Sequence, residues 1–330
     1  MIPSRVLKRP LRGDDVERWQ LFLLGQEIDP GPVDGVFGVG TETATKAFQE
    51  RHSIEVDGTV GGLTLQAAIA LGFGSIEAPD ALALPTPAEP MTATQFLESI
   101  RAASRPAREE AIVAAVLAGH VPSFLRTFRT ISFSAAGLDG AMRVAAVRVL
   151  PDYLAIGTDD DFLRIPMSPI SAQRIADACG CLLPTTKLVA TFWSSADLKL
   201  PPRPLPAGPS MMSTEYYVRH QMWVEQQRGG RATGALIAGH KKDVVITNRL
   251  DGKPKSVAIF GWHQLNGVPI QPLSTLHENT YADYSHGIRL IHGAMIVDGA
   301  ARPTAEVLRD RTLAPLLSDE GAIADPRAIR

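Results

Sequence analysis

Three helical patterns open the chain. In "DDVERWQLFLLG" (14–25), Val16, Trp19 and Leu23 share one face, with Phe22 beside them. Two more follow as "ETATKAFQERH" (42–52) and "LQAAIALGF" (65–73), each preceded by one copy of a repeat, "VDGVFGVGT" (33–41) and "VDGTVGGLT" (56–64). Asp-Gly in each copy predicts a turn, because glycine accepts positive φ. The closing threonine of each copy is expected to cap the next helix. The pattern predicts a small three-helix domain over residues 1–73. Residues 74–91, "GSIEAPDALALPTPAEPM", are rich in proline and poor in core candidates, and read as a stiff linker.

Residues 92–330 mix both periods. Helices are expected in "TATQFLESIRAAS", "REEAIVAAVLAG", "SAQRIADACG" with Ser171 as its cap and Gly180 as its stop, "PTTKLVATFWSSAD" and "TEYYVRHQMWVEQQR". "AMRVAAVRVLP" is a strand, and "DYLAIGTDDDFLRIPM" a hairpin turning at "GTDDD". "LPPRPLPAGPS" (200–210) reads as a long surface connection. Strands return late in the chain as "DVVITNRL", "KSVAIFGWH" and "GIRLIHGAMIVDG". The fold class expected is α+β: a small three-helix N-terminal domain, then a larger α+β domain with a late antiparallel sheet.

Composition narrows the function. Net charge is −2 with 45% hydrophobic and 21% charged residues, and no basic run occurs, which argues against nucleic acid as a partner. No apolar stretch is long enough for a membrane span. The two cysteines, Cys179 and Cys181, are too close for an ordinary disulfide. Cys179 falls at a helix C-terminus, the wrong end to activate a thiol, and both read as small buried hydrophobes.

Five of the eight histidines lie between residues 240 and 292. If "DVVITNRL" and "KSVAIFGWH" form a hairpin about Asp251-Gly252, His240 and His263 meet at its open end. A "GIRLI" strand pairing antiparallel beside "SVAIFGWH" would bring His286 to His263, with His277 and Asp283 on the loop above. The candidate catalytic residues are therefore His240, His263, His277, Glu278, Asp283, Ser285 and His286. One chemistry is a zinc site with His277, Asp283 and His286 as ligands, His263 or His240 as a further ligand or the base, and Glu278 as an alternative base. The other is metal-free acid–base or nucleophilic work with Ser285, disfavoured for the Ser285–His286 pair because neighbours on an extended chain point apart. His292, inside an apolar strand, reads as core. Lys242, beside Lys241, and Arg289 are cationic candidates for substrate carboxylates. Trp262, Tyr281 and Tyr284 offer faces for sugar or peptide.

Two resemblances follow from these residues. Gly13, Asp15, Val16 and Gln20, then Asp34-Gly35, Phe37-Gly38, Thr41 and Phe48-Gln49, then Asp57-Gly58, Gly61 and Thr64 resemble the peptidoglycan-binding domain of bacterial cell-wall hydrolases over about residues 8–72. That resemblance implies peptidoglycan as partner and targeting rather than catalysis, with most of the matched residues structural. Ser285 to Leu290, "SHGIRL", resembles the "SHGCIRL" segment of L,D-transpeptidases, but lacks the cysteine that is that family's nucleophile. The reading that joins these is a bacterial or phage wall hydrolase cutting an amide bond of the stem peptide, because no facing carboxylate pair suggests a glycosidase. A wall-anchored binding protein and a cross-link enzyme with altered chemistry are the alternatives. Action in the wall or periplasm is expected. No signal core precedes the first helix, which points to release by lysis, a secretion machine, or a trimmed leader.

Overall fold

In a computed structural model of the chain, residues 3, 5–71, 73 and 81–330 are described. The linker's first part, 74–80, lies outside them. Two compact units emerge. The first joins Met1–Ala78 to Ser132–Val147 and Ala294–Val307; the second comprises Pro79–Ile131, Arg148–Gly293 and Leu308–Arg330.

In the first unit, α1 (Asp14–Gly25), α2 (Val39–Arg51) and α3 (Gly62–Ala70) are the three expected helices. Trp19 sits at their centre, its ring 5.3–5.4 Å from those of Phe22, Phe48 and Phe73. Its indole N–H donates to Thr45 Oγ1 at 2.8 Å, so the large apolar ring is buried without orphaning its one polar atom.

The repeat builds the same clasp twice. Gln20 Oε1 accepts from the Gly35 N–H, and its Nε2 donates to Asp34 Oδ1, Val36 O and Thr41 Oγ1 at 3.0–3.2 Å. Gln49 repeats this with Gly58, Asp57, Thr59 O and Thr64 at 2.7–2.9 Å. Gly35 and Gly58 take φ of +69° and +73°, the conformation that turns each amide toward its glutamine. Thr41 and Thr64 are therefore not helix caps. Gly38 and Gly61 occupy the cap positions, and the threonine hydroxyls are spent on the glutamines.

The next elements are α4 (Ala93–Ser99), α5 (Arg105–Leu117), β1 (Arg129–Ala136), β2 (Met142–Val149), β3 (Ala155–Gly157), β4 (Phe162–Arg164), α6 (Pro169–Ala178), β5 (Cys181–Leu182), α7 (Thr186–Ser195), β6 (Leu198–Lys199), α8 (Thr214–Arg228) and β7 (Ile237–Ala238). β8 (Lys242–Val244), β9 (Ile259–His263), β10 (Pro269–Ser274), β11 (His286–Gly287), β12 (Ile291–His292), β13 (Ala294–Val297), β14 (Ala300–Pro303) and α9 (Thr304–Arg309) complete the chain. The fold is α+β, with largely antiparallel sheets. The hairpin β3–β4 forms as expected. Ser168 caps α6 rather than Ser171, because Pro169 already supplies the first helical position.

Two expectations about the late strands fail. "GIRLIHGAMIVDG" is not one strand but contributes to β11, β12 and β13, which pair with different neighbours. β11 lies parallel to β8, not antiparallel to β9. The free edge of β9 is taken by β10 instead, through the tight turn at Asn266-Gly267. Residues 81–91 are mostly exposed but anchored at 82–85. Leu82 is buried and its N–H donates to Arg126 O, while the Arg126 guanidinium donates to Leu84 O and Pro85 O.

Candidate functional site

The site is built on β8, in the second unit. β9 flanks it antiparallel and β11 parallel, with Lys242 beside His286 and Asp243 beside Gly287. Paired residues project to the same face and successive ones to opposite faces. Lys242 and His286 thus share one face, and Asp243 takes the other. Gly287 is needed there: a Cβ would stand 2.5 Å from the Tyr153 ring, whose hydroxyl reaches Asp243 Oδ2 at 2.8 Å.

On the first face Asp283 is the hub. Its Oδ1 accepts from Ser285 N–H and Oγ at 2.7 and 2.5 Å, and its Oδ2 from Tyr281 OH at 3.0 Å. Lys242 Nζ stands 3.8 Å from Oδ2. Burial alone would raise this carboxyl, but the adjoining His286 ring, Lys242 and the Ser285 hydroxyl outweigh it and hold it well below the usual range. His286 Nδ1 lies 3.2 Å from Asp283 Oδ1 and accepts the Asp283 backbone N–H at 3.0 Å. An accepting Nδ1 places the ring proton on Nε2. That nitrogen is buried without a partner among the described residues, so His286 presents a free N–H. Trp262 Nε1 is likewise buried and unpartnered, and Lys242 Nζ lies 5.4 Å from its ring centre. Trp262 holds φ at +57°, a left-handed conformation that costs a non-glycine residue roughly 1–3 kcal/mol and clusters at functional sites.

The second constellation centres on Asp152, which follows β2. Arg164 Nε and Nη2 donate to its Oδ2 at 2.9 and 2.7 Å, while Oδ1 takes Tyr153 N–H at 2.7 Å and His240 Nε2 at 3.1 Å. Burial opposes its ionisation, but the Arg164 charge, then His240, hold the carboxyl well below its ordinary range. Burial pushes His240 down to about 4 despite the pull of Asp152 the other way, so the ring is neutral near pH 7. Its single proton faces Asp152 from Nε2. Nδ1 therefore presents a lone pair, again buried and unpartnered among the described residues. Orientation of an imidazole by a buried carboxylate is how a histidine is set up as a general base.

Three further buried groups complete the cluster. Burial, then the Arg164 charge, brings Lys241 down to about 7, and its Nζ donates to Tyr284 O at 2.7 Å. Burial pushes Asp243 up to about 7 against the pull of Arg289, and its Oδ1 has no partner among the described residues. His220 of α8 is fully buried with neither nitrogen partnered among the described residues, and burial, then Lys241, drives it well below its ordinary value.

The expected site residues divide accordingly. Asp283, Ser285, His286, Tyr281, Lys242 and Trp262 come together as described. His240 and His263 do sit at one end of the β8–β9 pair, but their rings part: His240 turns to Asp152, and His263 stacks on Trp193 at 5.7 Å. His277 is exposed and stacks on Tyr281 at 4.3 Å, and Glu278 is exposed beyond it. Tyr284 is a bracket, its hydroxyl exchanging hydrogen bonds with the backbone of Leu205 in the proline-rich segment. Arg289 spends its guanidinium on Leu150 O and Ile237 O. Both side chains are buried. Among the described residues no group of three His, Cys, Asp or Glu side chains is placed to hold a metal ion. His277, Asp283 and His286 thus do not fit a zinc ion: one ring is stacked outside, and the carboxylate is already filled with donors. The two thiols are buried and pushed up to about 11 and 12 by burial, and Cys181 pairs with His292 in β5–β12, not with His286. His292 lies half-buried, its Nδ1 2.8 Å from Arg148 Nη2.

Asp152, Tyr153, Arg164 and His220 were not anticipated. The available signal was Arg164, a charge inside the apolar run "FLRIPM", which requires a buried carboxylate partner.

Comparison with known proteins gives one firm assignment. Residues 12–68 match a family model described as "Putative peptidoglycan binding domain". Over 66 residues the chain is 39% identical to the spore cortex-lytic enzyme of Bacillus cereus, covering 20% of this chain and 26% of that one. Over 67 residues it is 40% identical to the spore cortex-lytic enzyme of Bacillus subtilis (strain 168), covering 20% and 22%. The chain thus spans about a quarter of the length of the curated relatives it matches. Among solved structures, the N-terminal domain of SleB is 37% identical, covering 22% of this chain and 97% of that one with a TM-score of 0.21. A Burkholderia AP3 phage endolysin is 21% identical, covering 39% and 45% with a TM-score of 0.19. The family match lies within the three-helix region, and residues 12–68 belong to the peptidoglycan-binding domain family.

Proposed function

We propose that this chain is a peptidoglycan hydrolase acting in the cell wall: residues 12–68 hold the wall, and the second unit cleaves an amide bond of the stem peptide without a metal. The observation that carries the chemistry is His240, oriented by Asp152 so that a neutral, buried Nδ1 lone pair is left free. In the reaction, Nδ1 takes a proton from water as the water oxygen attacks the amide carbon. His286 Nε2–H, Trp262 Nε1–H and the Lys242 ammonium supply hydrogen bonds and charge to the oxyanion. The proton held on His240 then passes to the departing amine. Peptidoglycan as substrate is supported by the binding domain and by the wall-lytic relatives of that domain. His240 and His286 are at most 1% exposed, so turnover requires the segment anchored by Tyr284 to Leu205 to open.

Purified peptidoglycan incubated with the protein and analysed by mass spectrometry tests this. New stem-peptide ends are expected, unaffected by a chelator, with release lowered about 100-fold or more in His240→Ala. Intact wall binding with no fragments from the wild type would sink the hydrolase reading, and loss of fragments on chelation would sink the metal-free mechanism.

A further inference from the structure

A cleft of about 630 Å³ opens beside the segment that leads into the site. The first turns of α5 and α6 and residues 278–282 line it. Arg108, only 8% exposed, forms part of its wall. Its Nη1 donates to Met212 O at 2.9 Å and its Nη2 to Tyr217 OH at 3.2 Å, both uncharged acceptors. Among the described residues its Nε is buried with no partner, and no carboxylate pairs with it.

The contrast with its neighbours is informative. Arg164, buried more deeply still, is neutralised by Asp152 and Glu225 at 2.7 Å each. Arg174, on the same cleft, is paired with Glu110 at 2.7 Å. Glu109, next in sequence to Arg108, is used instead at the start of α6, accepting from Ser168 N–H and Oγ and from Ser171 Oγ at 2.6–3.0 Å. A buried guanidinium with only neutral partners carries an uncompensated desolvation cost. A carboxylate entering the cleft would offset it with a charge-assisted hydrogen bond. The volume suits a ligand of several residues' size. Tyr217 OH also donates to Ala282 O at 3.3 Å, linking the Arg108 wall to the residue immediately before Asp283.

We propose that this cleft is a substrate subsite, in which Arg108 receives a free carboxylate of the peptide whose amide is presented to the Asp283–His286 face. The assignment rests on the stem-peptide reading above, but it is tested by binding alone. Calorimetric titration would use a synthetic four-residue stem peptide with free carboxylates and the same peptide with every carboxyl amidated. The wild type is expected to bind the acid about tenfold more tightly than the amide, and Arg108→Gln to bind the two alike. Arg108→Lys, which keeps the charge, should retain part of the preference. Arg108 also bridges two elements, so Arg105→Ala serves as a second variant. Its exposed side chain at the mouth of the cleft donates to Met212 Sδ and to no other group among the described residues, and the change should weaken the acid about threefold and leave the amide unchanged. Equal affinity of acid and amide for the wild type, or no binding of either, would overturn the subsite. A clear acid preference without any wall cleavage would leave it standing and remove only the hydrolase.

Discussion

Replacing Asp152 with asparagine probes the arrangement on which the catalytic proposal depends. The carboxylate now accepts four hydrogen bonds, two from Arg164, one from Tyr153 N–H and one from His240 Nε2. Asparagine has nearly the same shape but one acceptor oxygen and one amide nitrogen. If its oxygen stays with Arg164, its NH₂ faces His240 and forces Nε2 to accept. The ring proton then moves to Nδ1, and the lone pair assigned to water activation is lost. A wrong tautomer at a carboxylate-held histidine costs on the order of 10⁴ in turnover in the serine-protease precedent, so a loss of about 10³–10⁴ in fragment release is expected. Stability should fall by about 3–5 kcal/mol, the usual cost of breaking a buried pair, moderated because Glu225 still pairs with Arg164. Two measurements separate the effects. Urea unfolding gives the stability loss, and imidazole ¹⁵N shifts report which nitrogen of His240 carries the proton. The reasoning is refuted if the folded Asp152→Asn protein shows the flipped tautomer yet releases fragments within about tenfold of wild type.

Other consequences can be checked independently. Lys241 has its folded-state value depressed to about 7, so between pH 7 and 10.5 the unfolded chain binds more protons and stability rises with pH. Urea midpoints should show a gain of roughly 2–3 kcal/mol from pH 7 to 9.5, largely absent in Lys241→Met; a flat wild-type profile refutes the assignment. Gly287→Ala drives a methyl against Tyr153 and should cost about 1–3 kcal/mol while pulling the phenol from Asp243, read as altered tyrosine absorbance and a lowered melting temperature. In the binding domain, Gln49→Ala removes the acceptor of the Gly58 N–H and one of the bonds to Thr59 O and to the Thr64 hydroxyl, and should cost about 1–3 kcal/mol, with wall-pelleting lost at a lower temperature than in the wild type. A Cys179→Ser, Cys181→Ser double variant should keep full fragment release, and a loss in a folded protein would return a thiol to the chemistry.

What the sequence disclosed and what it concealed follow from the range of the interactions involved. The three-helix region was legible because its signals are local: an apolar face at helical spacing, and Asp-Gly turns that recur with a threonine seven residues after the aspartate. The function of those threonines was not legible, because the glutamine each one meets lies 21 or 15 residues earlier, beyond any capping pattern. The same limit applies at the site. Asp283, Ser285 and His286 are neighbours in sequence, and their mutual hydrogen bonds are visible in "DYSHG". The partner of His240 is 88 residues away, and the parallel placement of β11 beside β8 depends on β10 having taken the edge of β9. Hairpin logic therefore found the correct end of the sheet and the wrong neighbour for His286. It also pooled the histidines, whereas burial sorts them. His277 remains outside in a stack, His263 goes to Trp193, and His240 and His286 each keep one buried nitrogen without a partner among the described residues, a lone pair on one and an N–H on the other. That asymmetry is set by what occupies the opposite nitrogen in each ring, a carboxylate for His240 and a backbone amide for His286. The proposed reaction uses that difference, taking the lone pair of His240 as base and the N–H of His286 as donor.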